Sequence, residues 1–138
     1  MSEAENGRPV VGERIVHKIF PPITRHTLAL YCGASGDHNP MHVDLDFAKA
    51  AGFPDVFSHG MLVMAFLGQA LTDVIAPGRI RSFSTRFVAI TQLGARLTCE
   101  GHVAELIEAR GEKQARLALT AKDENGEIKL AGEAVIAQ

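Results

Sequence analysis

Residues 59–75 set the strongest constraint on how this chain folds. Met61, Leu62, Val63, Met64, Ala65, Phe66, Leu67, Ala70, Leu71, Val74 and Ile75 fall on nearly every face of a helix, and only Gln69, Thr72 and Asp73 are clearly polar. A helix that is apolar all round has to be enclosed on most sides. Pro77-Gly78 gives it a stop. The chain has 138 residues, the size of one domain, so a single layer of surrounding structure has to do the enclosing.

The other segments supply that layer. Residues 13–20 alternate and read as a strand stopped by Pro21-Pro22. Thr24 caps a helix over 25–32 with Leu28, Leu30 and Tyr31 on its apolar side, and Gly33 ends it. Asp44 caps a second short helix to about residue 51, with Phe47 and Ala48 turned inward. After the long helix the chain reads as strands over 79–90, 95–109, 113–122 and 127–136. The apolar parity of the second of these changes near Val103, which predicts a bulge. Asn125-Gly126 is the best tight-hairpin signal. One early strand, a helical middle and a run of antiparallel strands make an α+β protein, and a sheet with one apolar face can curl around the helix.

Composition excludes several classes. A net charge of -2 gives no footprint for nucleic acid. No apolar run is long enough to span a bilayer. Cys32 and Cys99 form no close pair, which fits a reduced, intracellular protein. The polar, acidic start is unlike a secretory or transit peptide. Residues 1–9 read as a flexible tail and 10–138 as one domain.

The chemistry concentrates in Ser35-Gly36-Asp37-His38-Asn39-Pro40-Met41-His42. Pro40 keeps this stretch from being helical, and a turn on Asn39-Pro40 can bring Asp37 and His42 to one side. A carboxylate beside an imidazole is a proton donor and acceptor pair near neutral pH. The same residues also make an ordinary polar turn. His38 and His42 have HxxxH spacing near Asp37, Asp44 and Asp46, but Pro40 interrupts the helix that a metal pair would need, so no metal site is assigned. At Ser58-His59-Gly60 the long helix begins. Free amides and the positive end of the helix dipole favour an anion there, and Gly60 lets a carbonyl approach the backbone. A plain Ser58 N-cap accounts for the same residues. His17, His26 and His102 read as surface or structural residues.

The run from Tyr31 to His42, with Ala48 after it, resembles the signature of the MaoC-like (R)-specific enoyl-CoA hydratases and (3R)-hydroxyacyl dehydratases. His59-Gly60-Met61 is similar to the motif that starts their central helix, and the resemblance spans at least residues 24–94. It implies a hot-dog fold, in which a coiled antiparallel sheet wraps the long helix. It further implies a protein, usually dimeric, that acts on acyl thioesters of CoA or acyl carrier protein. With the exposed sheet edges and the unpaired cysteines, the expectation is a homodimer in the cytoplasm. By position, Asp37 and His42 become the catalytic dyad and the Gly60 N–H the oxyanion donor. Asn39 would brace the loop, and Ser58 and His59 would stand on the substrate-binding side. Hydration needs two proton-transfer groups and one N–H donor, so no cofactor is implied. The chain departs from the pattern at Gly68, where some relatives carry Ser. It departs again at Ile90-Thr91 and Ala95, where Pro-Val and Asp are usual. Two other readings compete. One is a hot-dog thioesterase, which would place its carboxylate elsewhere. The other is a non-catalytic or hetero-oligomeric acyl-binding subunit, which would be expected to lack Asp37 or His42.

Overall fold

The computed structural model describes residues 8–138. Residues 1–7 of the expected tail lie outside the described residues. Five strands form one antiparallel sheet: β1 (Arg14–Ile19), β2 (Ile80–Phe87), β3 (Thr98–Ala109), β4 (Glu112–Lys122) and β5 (Ile128–Ala137). Their order across the sheet is β1-β3-β4-β5-β2. Three helices, α1 (Arg25–Ser35), α2 (Leu45–Ala50) and α3 (Gly60–Thr72), fill the stretch between β1 and β2. α3 packs across β1, β3, β4 and β5, which is the α+β hot-dog arrangement.

The sheet curls because its inner face is apolar and its β3 strand is bulged. Leu117, Leu119, Leu130 and Ile136 are almost completely buried, as are Leu67 and Leu71 of α3 opposite them. Burying each such side chain stabilises the fold by about 1.5–3 kcal/mol. The register between β3 and β4 slips between Val103 and Glu105, where the sequence changes parity.

Enclosure of α3 is one-sided within this chain. Leu62, Val63, Leu67, Ala70 and Leu71 are buried, whereas Met61, Ala65, Gln69 and Thr72 form an exposed line at helical spacing. Apolarity all round therefore overstated what one sheet covers, because a sheet packs against one side of a helix.

Three local expectations are corrected. α1 runs through Gly33 to Ser35 and is closed by Gly36 at φ 76°. A left-handed cap residue fixes the end, and a glycine with an ordinary dihedral can stay inside. Leu30 and Phe47 are exposed at 60% and 45%, while Leu28, Cys32 and Ala48 hold the inner side. The tight two-residue turn is Arg110-Gly111, with φ values of 52° and 76°, joining Ala109 to Glu112. At 123–127, only Gly126 has positive φ, and the Asp123 side chain accepts the N–H groups of Asn125 and Glu127. That is a three-residue loop with a glycine bulge, in which an Asp side chain does what a second positive-φ residue would have done.

Candidate active site

The Asp37 loop is held by its own side chains. Ser35 Oγ accepts the Asp37 N–H at 3.1 Å, Asp37 Oδ1 the Asn39 N–H at 3.2 Å, and Asn39 Oδ1 the Met41 N–H at 3.1 Å. Each is a bond to the backbone two residues on, the local geometry that Ser, Asp and Asn favour. Pro40 then opens a single 3₁₀ turn, Pro40–His42. The turn brings an Asp37 carboxylate oxygen and ring nitrogens of His42 and His59 within 4.8 Å of one another.

His42 is 8% exposed, and its Nδ1 lies 2.7 Å from the Phe57 carbonyl. A carbonyl only accepts, so Nδ1 carries the proton and Nε2 is the free ring nitrogen. Phe57 also meets the ring edge-on. The other face of His42 stacks on His59 at 3.8 Å.

His59 is 1% exposed and does not line the cavity described below. Its Nε2–H reaches the Asp37 carbonyl at 3.3 Å and Cys32 Sγ at 3.4 Å, tying α1 and the loop to the start of α3. Its Nδ1 finds no partner among the described residues. Burial, and then the neighbouring His42, hold its pKa below the usual histidine value, so it is a neutral prop under His42. His38, the adjacent imidazole, is exposed.

By distance alone Asp37, His42 and His59 could meet a metal ion. The Phe57 and Asp37 carbonyls already take one ring nitrogen of each histidine, so each ring has a single nitrogen left to offer.

A cavity of about 360 Å³ opens beside this group. It is lined by His42, Phe57, Ser58 and Gly60, by the buried Val63 and Leu130, and by a wall of residues 87–91 with Lys129. Asp37 is exposed and stands outside the lining. Ser58 is buried, its N–H donates to the Thr91 carbonyl at 2.8 Å, and its Oγ–H to the His59 carbonyl at 3.0 Å. It is thus no side-chain cap for α3, whose N-cap position is His59. The N–H of Gly60 has no acceptor among the described residues. A Cβ at Gly60 would come within 3.1 Å of the Phe87 ring, so glycine here also admits an aromatic ring.

Nothing local in the sequence marks the 88–91 wall or Lys129 as part of a site. Apolar Phe87-Val88-Ala89-Ile90 read as a continuing strand, but the chain leaves the sheet after Phe87. A single lysine in a strand carries no signal of burial.

A family model described as "MaoC like domain" matches residues 7–125. The (R)-specific enoyl-CoA hydratase of Rhodospirillum rubrum is 30% identical over 116 residues, covering 83% of this chain and 78% of the relative. The fatty acid synthase beta subunit TOXC of Cochliobolus carbonum is 35% identical over 115 residues, 78% of this chain. This chain spans only 5% of that subunit's length, and 26% of a peroxisomal enoyl-CoA hydratase 2 of Arabidopsis thaliana. Among solved structures, the unliganded R-hydratase of Pseudomonas aeruginosa superposes with a TM-score of 0.83 at 28% identity, over 95% of this chain and 83% of that one.

Proposed function

The chain belongs to the MaoC-like domain family, and from that premise we propose that it hydrates trans-2-enoyl thioesters of CoA or acyl carrier protein, reversibly, to (3R)-3-hydroxyacyl thioesters. The observation that carries the reading is the meeting of the Asp37 carboxylate with the His42 ring at the edge of an apolar cavity that opens on the Gly60 amide. A water activated by one member of the pair attacks C3, and a proton is delivered to C2. The thioester oxygen gains negative charge as C2 and C3 rehybridise, and the Gly60 N–H at the positive end of α3 stabilises it. Asn39 holds the turn, Ser58 fixes the entry to α3 through Thr91, and His59 supports the His42 ring. The reverse reaction, loss of water, uses the same groups.

The domain assignment, residues 10–138 as one unit, belongs to this proposal, as does a homodimer. Met61, Phe87, Val88 and Ile90 are all half exposed or more, and β2 is an edge strand. A second copy would cover both. No described helix is long and apolar enough to cross a membrane. A cytoplasmic location is part of the proposal, on the two unbridged cysteines.

The test is to incubate the pure protein with trans-2-enoyl-CoA thioesters of several lengths and follow loss of the conjugated absorbance. Hydration, with an (R)-configured product, supports the proposal. A saturated acyl-CoA cleaved to free CoA would favour a thioesterase instead. Thioester binding without turnover would favour a non-catalytic subunit.

A further inference from the structure

We propose that Lys129, itself part of the cavity lining, is a positioning residue: it fixes residues 88–91, one wall of the pocket, and so sets how firmly an acyl chain is held. The acyl part of this rests on the hydratase reading above; the clamp itself does not.

Lys129 sits in β5 but is only 5% exposed. Its Nζ donates to the Ile90 carbonyl at 2.9 Å and to Glu127 Oε1, and lies 3.6 Å from Asp123 Oδ2. Its own carbonyl accepts the N–H groups of Val88 at 2.9 Å and Ala89 at 3.3 Å. One residue thus holds the segment through both its ammonium and its backbone. Asp123 completes the clamp. Its Oδ2 accepts from Gln92 Nε2 at 3.2 Å, while its Oδ1 secures the turn between β4 and β5. The Thr91 carbonyl then accepts from Ser58 N–H. A chain of polar bonds therefore runs from the β4–β5 turn, through the wall, to the residues that open α3 and present the Gly60 amide.

Within one chain, packing does not do this work. Val88 and Ile90 are 50% and 52% exposed, and the segment lies beyond the end of β2. A buried ion pair adds little net stability, because desolvation offsets much of its attraction. What the Lys129–Asp123 pair does supply is direction: donors and an acceptor aimed at the backbone and side chains of an otherwise loosely packed wall.

Lys129→Met keeps the aliphatic stem and removes the donors. Lys129→Met/Asp123→Asn removes both charges, so no lone buried carboxylate impairs folding. Lys129→Arg is the conservative variant. Amide hydrogen exchange across residues 88–92, measured on the full chain, reads the clamp directly. Steady-state hydration of a four-carbon and an eight-carbon trans-2-enoyl-CoA reads its consequence. In both Met variants we expect exchange in 88–92 to rise roughly tenfold while β3 and β4 stay protected. We expect KM for the eight-carbon thioester to rise roughly tenfold, clearly more than for the four-carbon one, with partial recovery in Lys129→Arg. Unchanged exchange in 88–92 overturns the clamp, whatever the activity. Raised exchange with equal losses for both chain lengths overturns its role in holding the acyl chain. If the wild-type protein hydrates neither thioester, the hydratase reading and the acyl part fall together, and the exchange result still decides the clamp.

Discussion

Two irregular segments flank the candidate site, and they take their shape in different ways. The loop from Ser35 to His42 is shaped by bonds that span two residues, Ser35 to Asp37, Asp37 to Asn39 and Asn39 to Met41, and is then docked through the Asp37 carbonyl to His59 and the His42 ring to Phe57. The wall over 88–92 is fixed by partners 31 to 39 residues away, Asp123 and Lys129. Local bonds are encoded by residue type and spacing, so the loop could be read from the sequence. The wall depends on where a distant hairpin arrives, so it could not. The two also differ in chemistry. The loop carries the groups that can move protons, and the wall supplies shape.

The comparison is broken most severely on the loop side. His42→Ala removes the imidazole that lines the cavity, and turnover of an enoyl thioester should fall by roughly two or more orders of magnitude. His38→Ala, four residues earlier and exposed, should keep most of the activity. Parallel initial-rate measurements on the two variants check this.

Where α3 meets the start of the wall, the largest stability effect should come from Gly60→Ala. The added methyl meets the Phe87 ring at 3.1 Å, and overpacking of this kind costs about 1–3 kcal/mol unless the exposed ring swings away. Chemical denaturation reads the cost, and an unchanged midpoint would mean that Phe87 yields freely.

Asn39→Ala sharpens the claim that the loop is locally held. Losing the bond to the Met41 N–H should cost about 1 kcal/mol by the same denaturation assay, with a fall in kcat as the turn loosens. Asn39→Asp keeps an acceptor oxygen in place and should recover most of the stability.

The smallest effect is a pH dependence. His59 has a depressed pKa in the folded protein, chiefly through burial and then through His42. The unfolded chain therefore takes up this proton first as pH falls. The stability due to neutral His59 is complete above the ordinary histidine value of 6.5 and is lost progressively below it. Between pH 7.5 and 5.5 the melting temperature should drop by roughly a few degrees more in the wild type than in His59→Gln. Parallel melting curves of the two proteins check it.

Local chemistry explains what else was legible. Thr24 and Asp44 cap their helices as expected because each accepts from an amide three residues on. The slip at Val103 shows in the sequence as a change of parity. Asp37 and His42 converge because Pro40 permits only a turn. What failed depended on tertiary context. Nothing local distinguishes Gly33 from Gly36 as a helix end, and only Gly36 adopts positive φ. Arg110 accepts a left-handed conformation because the register of β3 and β4 demands it, and Asn125 escapes one because Asp123 replaces the turn bonds. His59 read as a group on the substrate side, but its ring is sealed beneath His42.

The central claim is that Asp37 and His42 act as one proton-transfer unit, and a double-mutant cycle tests it most directly. Asp37→Asn preserves size and the acceptor for the Asn39 N–H but cannot exchange a proton in the same way. Turnover of a trans-2-enoyl-CoA is measured for the wild type, Asp37→Asn, His42→Ala and the double variant, with folding verified for each. The account predicts that each single change costs roughly two or more orders of magnitude, and that the double variant is little worse than the poorer single. Asp37→Asn that folds normally and hydrates at a near wild-type rate would contradict it, and would leave the loop as a polar turn.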